Sequence, residues 1–163
     1  MSNRRIVELD VREMLRNKQE PFQKIMGTVS ELGAEDVFEL HATFRPDPLI
    51  RVLGKQGYRA AVVQLEHEHY VVQFYRTEDE FPWFHLDNRG LEPPQPMIRT
   101  LEFLDNQAAC QEGTLGLEIW NERVPVFLLP ELEDRGFAFT IDDSDLAEGT
   151  VRIQIRRPAD GEA

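Results

Sequence analysis

The chain of 163 residues has one cysteine, Cys110, and no long apolar run. A single cysteine excludes an intrachain disulfide framework and any metal site built from several thiolates. The longest apolar stretches, such as Val124 to Pro130, are far shorter than the roughly 20 residues of a membrane-spanning helix. The N-terminal residues alternate in polarity and lack a signal peptide's apolar core. We therefore expect a cytoplasmic protein that does not enter a membrane.

Positive charge is also scarce, with 18 Lys and Arg against 30 Asp and Glu and a net charge of −12. Such a balance disfavours nucleic acid and anionic membranes as partners. The imbalance lies in one half of the chain. Residues 1–78 carry 11 basic and 12 acidic residues, whereas residues 79–163 carry the other 7 and 18. The two halves therefore present different surfaces.

A repeat organises the chain. The segment LDVR, Leu9 to Arg12, returns as LDNR, Leu86 to Arg89. Apolar periodicity predicts the same order of elements in each half, namely strand, helix, strand, helix, strand, strand. The polar segment Thr77 to Glu80 separates the halves. We predict two domains, residues 1–78 and 81–163.

Local signals refine this pattern. The polar segment Glu13 to Glu20 is predicted as a linker, and Pro21 as the start of an apolar helix. Asp47 is expected to cap a short helix. Pro93 and Pro94 are expected in the first turn of the helix that follows the second LD motif, because proline is tolerated there.

The second half resembles the TusA (SirA-like) sulfur-carrier family, whose first helix is announced by LD-x-x-G-L-x-C-P-x-P. The positions that match are Leu86, Asp87, Gly90, Leu91, Pro94 and Pro96. Pro93 stands where the family has its persulfide-carrying cysteine, so this position has no nucleophile. The resemblance implies an α+β fold, a two-layer sandwich (βαβαββ) with a four-stranded mixed sheet and two helices on one face.

The first half resembles a related bacterial family known as a domain of unknown function. The shared features are the LDVR start, the Glu20-Pro21 entry into a helix, and the turn Pro46-Asp47-Pro48-Leu49. Members of that family often have a histidine before the helix proline, and Glu20 takes its place here. Two tandem copies of the sandwich are the fold that both resemblances imply.

The candidate site consists of these motif residues at the helix N-termini. Asp10 and Arg12 recur as Asp87 and Arg89, and two interpretations are open: the arginines contact an anion or a partner, or each Asp–Arg pair fixes its own turn. Helix N-termini also favour anions. The full set is Asp10, Arg12, Glu20, Pro21, Asp47, Pro48, Asp87, Arg89, Gly90, Pro93, Pro94 and Pro96.

Two other chemistries are alternatives. Cys110 is a candidate displaced acceptor in a sulfur-transfer or redox protein, although no motif surrounds it. His67, Glu68 and His69 form either a metal clamp or a solvated hairpin tip. His41 and His85 can join such a clamp only through folding. Two imidazoles in one turn supply half of a structural zinc site. We expect no catalytic residue, cofactor or metal ion.

The function expected is therefore binding, of a protein partner or a small anionic ligand, on a scaffold that has lost its carrier cysteine. Apolar residues are also predicted on the sheet face that helices do not cover in the first half. They suggest packing against the second half or a homodimer. The positions predicted on that face are Val71, Gln73 and Tyr75 on one strand and Ala60 and Val62 on its neighbour.

We predict that residues 1–78 and 81–163 each fold when they are expressed alone. The duplicated order of elements gives each half its own core. Each fragment should give a dispersed amide NMR spectrum. Two unfolded fragments from a folded parent chain would contradict the two-domain prediction.

Overall fold

The computed structural model describes residues 4–158, which form two compact units, residues 4–80 and 81–158. Each unit contains one four-stranded mixed sheet together with helices, so the expected tandem α+β architecture is confirmed. Among the described residues, no helix combines the length and the apolar character needed to cross a bilayer.

The first unit has three helices and four strands. Its sheet has the order β1-β2-β4-β3, with β1 parallel to β2 and the other pairs antiparallel. A parallel pair needs a crossover connection, and the first two helices supply it. The elements are β1 (Ile6–Asp10), α1 (Arg12–Arg16), α2 (Phe22–Val29), β2 (Val37–Ala42), α3 (Asp47–Lys55), β3 (Arg59–Glu66) and β4 (His69–Tyr75).

The second unit repeats this topology, with the sheet order β5-β6-β8-β7 and a parallel β5–β6 pair. A turn of 3-10 helix, Leu146–Glu148, precedes its last strand. The elements are β5 (Trp83–Asp87), α4 (Gln95–Asn106), α5 (Ala108–Glu112), β6 (Gly116–Asn121), α6 (Leu128–Asp134), β7 (Ala138–Asp142) and β8 (Val151–Arg156).

Alternation along the strands separates an apolar face from a polar one. In β8, Val151, Ile153 and Ile155 are fully buried, and the residues between them are half-buried. In the first unit, Phe38 and Leu40 of the central strand join Leu53 of α3 in one core. The helices thus cover one face of the first sheet, and the opposite face carries the alternate residues of each strand.

The segment Glu13 to Glu20, predicted as a linker, contains all of helix α1 except its first residue, Arg12. Its Met14 and Leu15 pack against the core, and Val11, just before the helix, is buried. Positions 11, 14 and 15 have helical spacing, but one turn is too short for periodicity to be detected. Each unit therefore has three helices where two were expected, because α5 adds a short helix to the second unit.

Two predicted helix starts are also corrected. Asp47 is the first residue of α3 rather than its cap, which is Pro46, and its carboxylate accepts a hydrogen bond from Arg45 Nε at 2.6 Å. Helix α4 begins at Gln95, so Pro93 and Pro94 precede it, and the proline in its first turn is Pro96. Pro93 is followed by another proline, which disfavours the helical region for it, and Pro94 takes the cap position of the helix.

The apolar residues predicted on the uncovered face of the first sheet are placed correctly on β4 and wrongly on β3. Ala60 and Val62 pack on the helix side, opposite Phe74 and Val72. Directly paired residues share one face, so Gln73 has Ala61 as its neighbour on β3. The error is a shift of one residue, which reverses every side chain of a strand.

One turn between helix and strand recurs in both units. Gly57 follows α3 with φ +94°, and Gly136 follows α6 with φ +83°. The next residue, Tyr58 or Phe137, lies beneath an arginine side chain, Arg76 in the first unit and Arg157 in the second. Positive φ favours glycine here because a side chain would meet its own backbone.

We predict that Gly57→Ala lowers the free energy of unfolding by about 1–2 kcal/mol, the cost of a left-handed L residue. A Cβ at this position would also lie 2.7 Å from Arg76 Nη1.

Gly54→Ala is the matched control, because Gly54 lies three residues earlier, inside α3, and nothing lies within 4 Å of its Cβ position. It should raise stability by about 0.5–1 kcal/mol. Urea unfolding measures both variants, and equal effects would refute the explanation of the turn.

Candidate functional site

The repeated aspartate and arginine form an ion pair within each turn. Arg12 donates from Nε and Nη2 to the Asp10 carboxylate at 3.0 and 2.7 Å, and its backbone N–H also donates to Oδ1. The same three bonds join Arg89 to Asp87. The hydrogen bond from Arg12 lowers the pKa of Asp10 to about 2. Both guanidinium groups are therefore engaged inside their own turns.

The rest of the second motif offers few donors to an anion. The N–H of Gly90, at φ +84°, donates to the Glu122 carboxylate at 2.9 Å. Pro93, Pro94 and Pro96 have no N–H at all. An acidic side chain and three prolines at this helix entrance disfavour the anionic ligand that the sequence suggested.

The first motif lines an apolar pocket of about 260 Å³ in the first unit. Glu20 and Pro21 border it before α2, and Pro46 and Pro48 border it at the start of α3. Every other lining residue is apolar, and these side chains come from β2, the loop after it, all three helices and Val11 just before α1. The Glu20 carboxylate also accepts from the N–H of Phe22 at 2.9 Å, so it already satisfies the first N–H of α2.

A carboxylate lies at the centre of the sheet in each unit. In the first unit, Glu39 of β2 accepts from Gln73 Nε2 at 2.7 Å and contacts His41 Nε2 at 2.9 Å. In the second unit, Glu118 of β6 accepts from Gln154 Nε2 at 2.9 Å and from Trp120 Nε1 at 2.8 Å.

The two networks occupy equivalent positions. In each, the glutamine lies directly opposite the glutamate on the neighbouring strand, and the ring N–H comes two residues after the glutamate. The units differ in the nature of that ring. A histidine can release its proton or coordinate a metal, whereas an indole can only donate.

His41 connects this carboxylate to two more groups. Its Nδ1 lies 2.9 Å from His69 Nε2, and its Nε2 lies 3.2 Å from Glu8 Oε1. The hydrogen bond to Glu39 raises the pKa of His41, and the charges of Glu39, Glu8 and Asp10 add to it. Burial and the positive charges of Arg12 and His41 lower the pKa of His69. These directions fit a protonated His41 that donates to a neutral His69.

The structure separates the histidines of the metal clamp that the sequence suggested. His69 lies in β4, where its ring faces His41. His67 is exposed in the hairpin turn. His85 is buried in the other unit, with Nε2 3.8 Å from Glu118 Oε2. The folded arrangement therefore joins His41 and His69.

Cys110 is fully buried within α5. Burial raises the pKa of its thiol to about 11. A thiolate, which is the nucleophilic form, is therefore disfavoured at neutral pH. The thiol packs as a small apolar side chain.

Glu8 and Glu39 were absent from the candidate residues of the sequence analysis, and Gln73 was named there only as a position on the uncovered sheet face. A signal for two of them was present in the repeat. The strand segments FELH and LEIW carry glutamate at the same place, and VQF and IQI carry glutamine. The signal for Glu8 was weaker, because the other copy has His85 at that position.

Fold and motifs together define a class, a tandem protein built from two copies of one small α+β domain. A scan against family models matches residues 8–76 and 85–157 to the family described as uncharacterized conserved protein (DUF2249). The chain belongs to this family and contains two copies of its domain. No curated protein and no solved structure matches the chain.

We predict that His41→Gln lowers the free energy of unfolding more at about pH 5.5 than at about pH 8.5. A pKa raised above the ordinary 6.5 contributes stability below that value, and the contribution is lost as pH rises through the folded-state pKa. Urea unfolding at both pH values measures the difference.

Glu39→Gln is the control, because it removes the group that raises the pKa most. In that background, His41→Gln should show little pH dependence. If His41→Gln lowered the free energy of unfolding of the parent chain equally at both pH values, the raised pKa of His41 would be contradicted.

Proposed function

We propose that this chain is a non-catalytic binding protein, and that its first unit takes an apolar side chain of a partner protein. The observation that carries the proposal is the pocket lined by four of the motif residues, Glu20, Pro21, Pro46 and Pro48. The motif that distinguishes the first copy thus borders a cavity rather than a reactive group.

The mouth of this pocket supports a protein as the ligand. Phe22, Phe44 and Val52 line it and remain 47%, 52% and 38% exposed. Apolar side chains clustered around a cavity are typical of a contact surface, in which one anchor residue fills the pocket. Glu20 adds a negative charge at the border of the pocket. A partner segment with an apolar anchor and a basic neighbour is complementary to this surface.

Sulfur transfer or redox chemistry at Cys110 is the rival proposal. Its thiol is buried and its pKa is raised to about 11, so both access and ionisation oppose reaction. Pro93, at the position of the family cysteine, is exposed but has no nucleophile. The binding proposal is favoured for these two reasons.

We also propose that the chain is related to the TusA sulfur carriers. The match of Leu86, Asp87 and Gly90 to their pattern supports a common scaffold from which the carrier function was lost. The cytoplasm is the compartment expected for such a protein.

A homodimer through the uncovered sheet face of the first unit is a separate hypothesis. Val71 and Tyr75 are the apolar residues of this face, and its packing against the second unit or a second copy of the chain stays a prediction.

The pocket is tested by NMR titration of the methyl-labelled full chain with N-acetyl-leucine amide, a stand-in for one anchor side chain. We expect saturable shifts at Ile25, Leu40 and Leu49, with a Kd on the order of 1 mM because a single side chain contributes little binding energy.

Val52→Glu should abolish these shifts, because it places a charge in the pocket lining. Leu65→Glu is the matched control, since Leu65 is 48% exposed in the same unit and is not a lining residue. It should leave binding unchanged. Shifts that do not saturate, or that persist in Val52→Glu, would contradict the proposal.

A further inference from the structure

We propose that Glu8, Glu39 and His41 form a binding site for a divalent transition-metal ion such as Zn²⁺. The three side chains come from two adjacent strands, because Glu8 lies on β1 and the other two lie on β2. The site is separate from the apolar pocket, since these residues point to the sheet face opposite the helices. It therefore does not rest on the proposed binding function.

The ligand atoms already have the spacing that a metal requires. One oxygen of each glutamate and one nitrogen of His41 lie within 4.8 Å of one another. The two oxygens nearest His41 Nε2 are 3.2 and 2.9 Å from it. Ligands of a tetrahedral zinc ion at about 2.0–2.1 Å lie about 3.3 Å apart. An ion can therefore replace the proton between these groups with small movements of the side chains.

The groups that hydrogen-bond to these ligands are arranged as they are in metal sites. His41 would bind through Nε2, and its other nitrogen lies 2.9 Å from His69 Nε2, which can accept its proton. Gln73 Nε2 donates to the second oxygen of Glu39 at 2.7 Å and fixes that carboxylate. Such partners set the tautomer of a histidine ligand and the orientation of a carboxylate ligand.

The donor set selects the class of metal. One imidazole and two carboxylates suit Zn²⁺, Mn²⁺ or Fe²⁺, whereas Ca²⁺ and Mg²⁺ prefer all-oxygen ligands. Three protein ligands leave a fourth position open on zinc. Glu8 is 63% exposed, so this side of the site is accessible to an ion and to water.

The second unit provides an internal comparison. At the equivalent positions it has His85, Glu118 and Trp120, whose indole nitrogen donates its proton to the glutamate. An indole cannot coordinate a metal. Within residues 4–158, Glu8, Glu39 and His41 are the set of three whose ligand atoms converge. The site therefore belongs to the first copy.

The test is calorimetric titration of the metal-free full chain with Zn²⁺, followed by absorption spectroscopy with Co²⁺. We expect one equivalent of Zn²⁺ with a Kd below about 10 µM. Bound Co²⁺ should give the visible absorption of a four- or five-coordinate N/O site. Binding weaker than about 1 mM, or several equivalents of equal weak affinity, would overturn the proposal.

Variants locate the ion. Glu8→Gln is the most informative, because an exposed side chain can be replaced without disturbing the core, and it should weaken binding by at least about 10-fold. His41→Gln should weaken it further. His69→Gln should weaken it by about 10- to 100-fold through loss of orientation.

His67→Gln and Cys110→Ser are the controls, since they remove the other candidate donors without touching the site. Both should bind Zn²⁺ as the parent chain does. Unchanged binding in folded Glu8→Gln and His41→Gln, or loss of binding in either control, would show that the ion lies elsewhere.

Discussion

Each sheet is built around a carboxylate that must be provided with hydrogen-bond donors. Glu39 and Glu118 lie on the central strands, with side chains that are 16% and 6% exposed. An unpaired buried charge costs several kcal/mol, and hydrogen bonds to a charged group return about 1.5–3 kcal/mol each. A glutamine on the antiparallel neighbour and a ring N–H two residues further along meet this requirement in both units. The need for these donors therefore fixes the positions of the glutamate, the glutamine and the ring, and with them the register of the two strands that carry them.

The two copies differ in the ring that supplies the second hydrogen bond to the glutamate. In the second unit the indole of Trp120 donates a hydrogen bond to Glu118, and an indole N–H neither titrates nor coordinates a metal. In the first unit, His41 satisfies Glu39 with a proton that can be released. Glu8 and His69 surround the same imidazole. The apolar pocket also belongs to the first unit. Both proposed binding activities therefore lie in the first copy, whose residues 1–78 carry a net charge of −1. The second copy keeps the architecture.

The sequence predicted the fold well, because hydrophobic periodicity and the LD repeat are local signals. It failed where the outcome depends on tertiary contacts. Helix α1 is a single turn stabilised by packing of Leu15, and Ala60 was placed one residue out of register. The site was predicted in part. The pocket lining includes Glu20 and Pro21, but the cluster around His41 joins residues 28 and 33 positions away through strand pairing, which no spacing rule in the sequence reports.

Anomalous diffraction from crystals of the zinc-loaded chain tests the central claim most directly, namely that the first copy has converted a structural carboxylate network into a metal site. We predict one peak at the zinc absorption edge, about 2.0–2.2 Å from His41 Nε2 and from one oxygen each of Glu8 and Glu39. A peak at His67 or Cys110, or no peak in the first unit of a saturated chain, would contradict it.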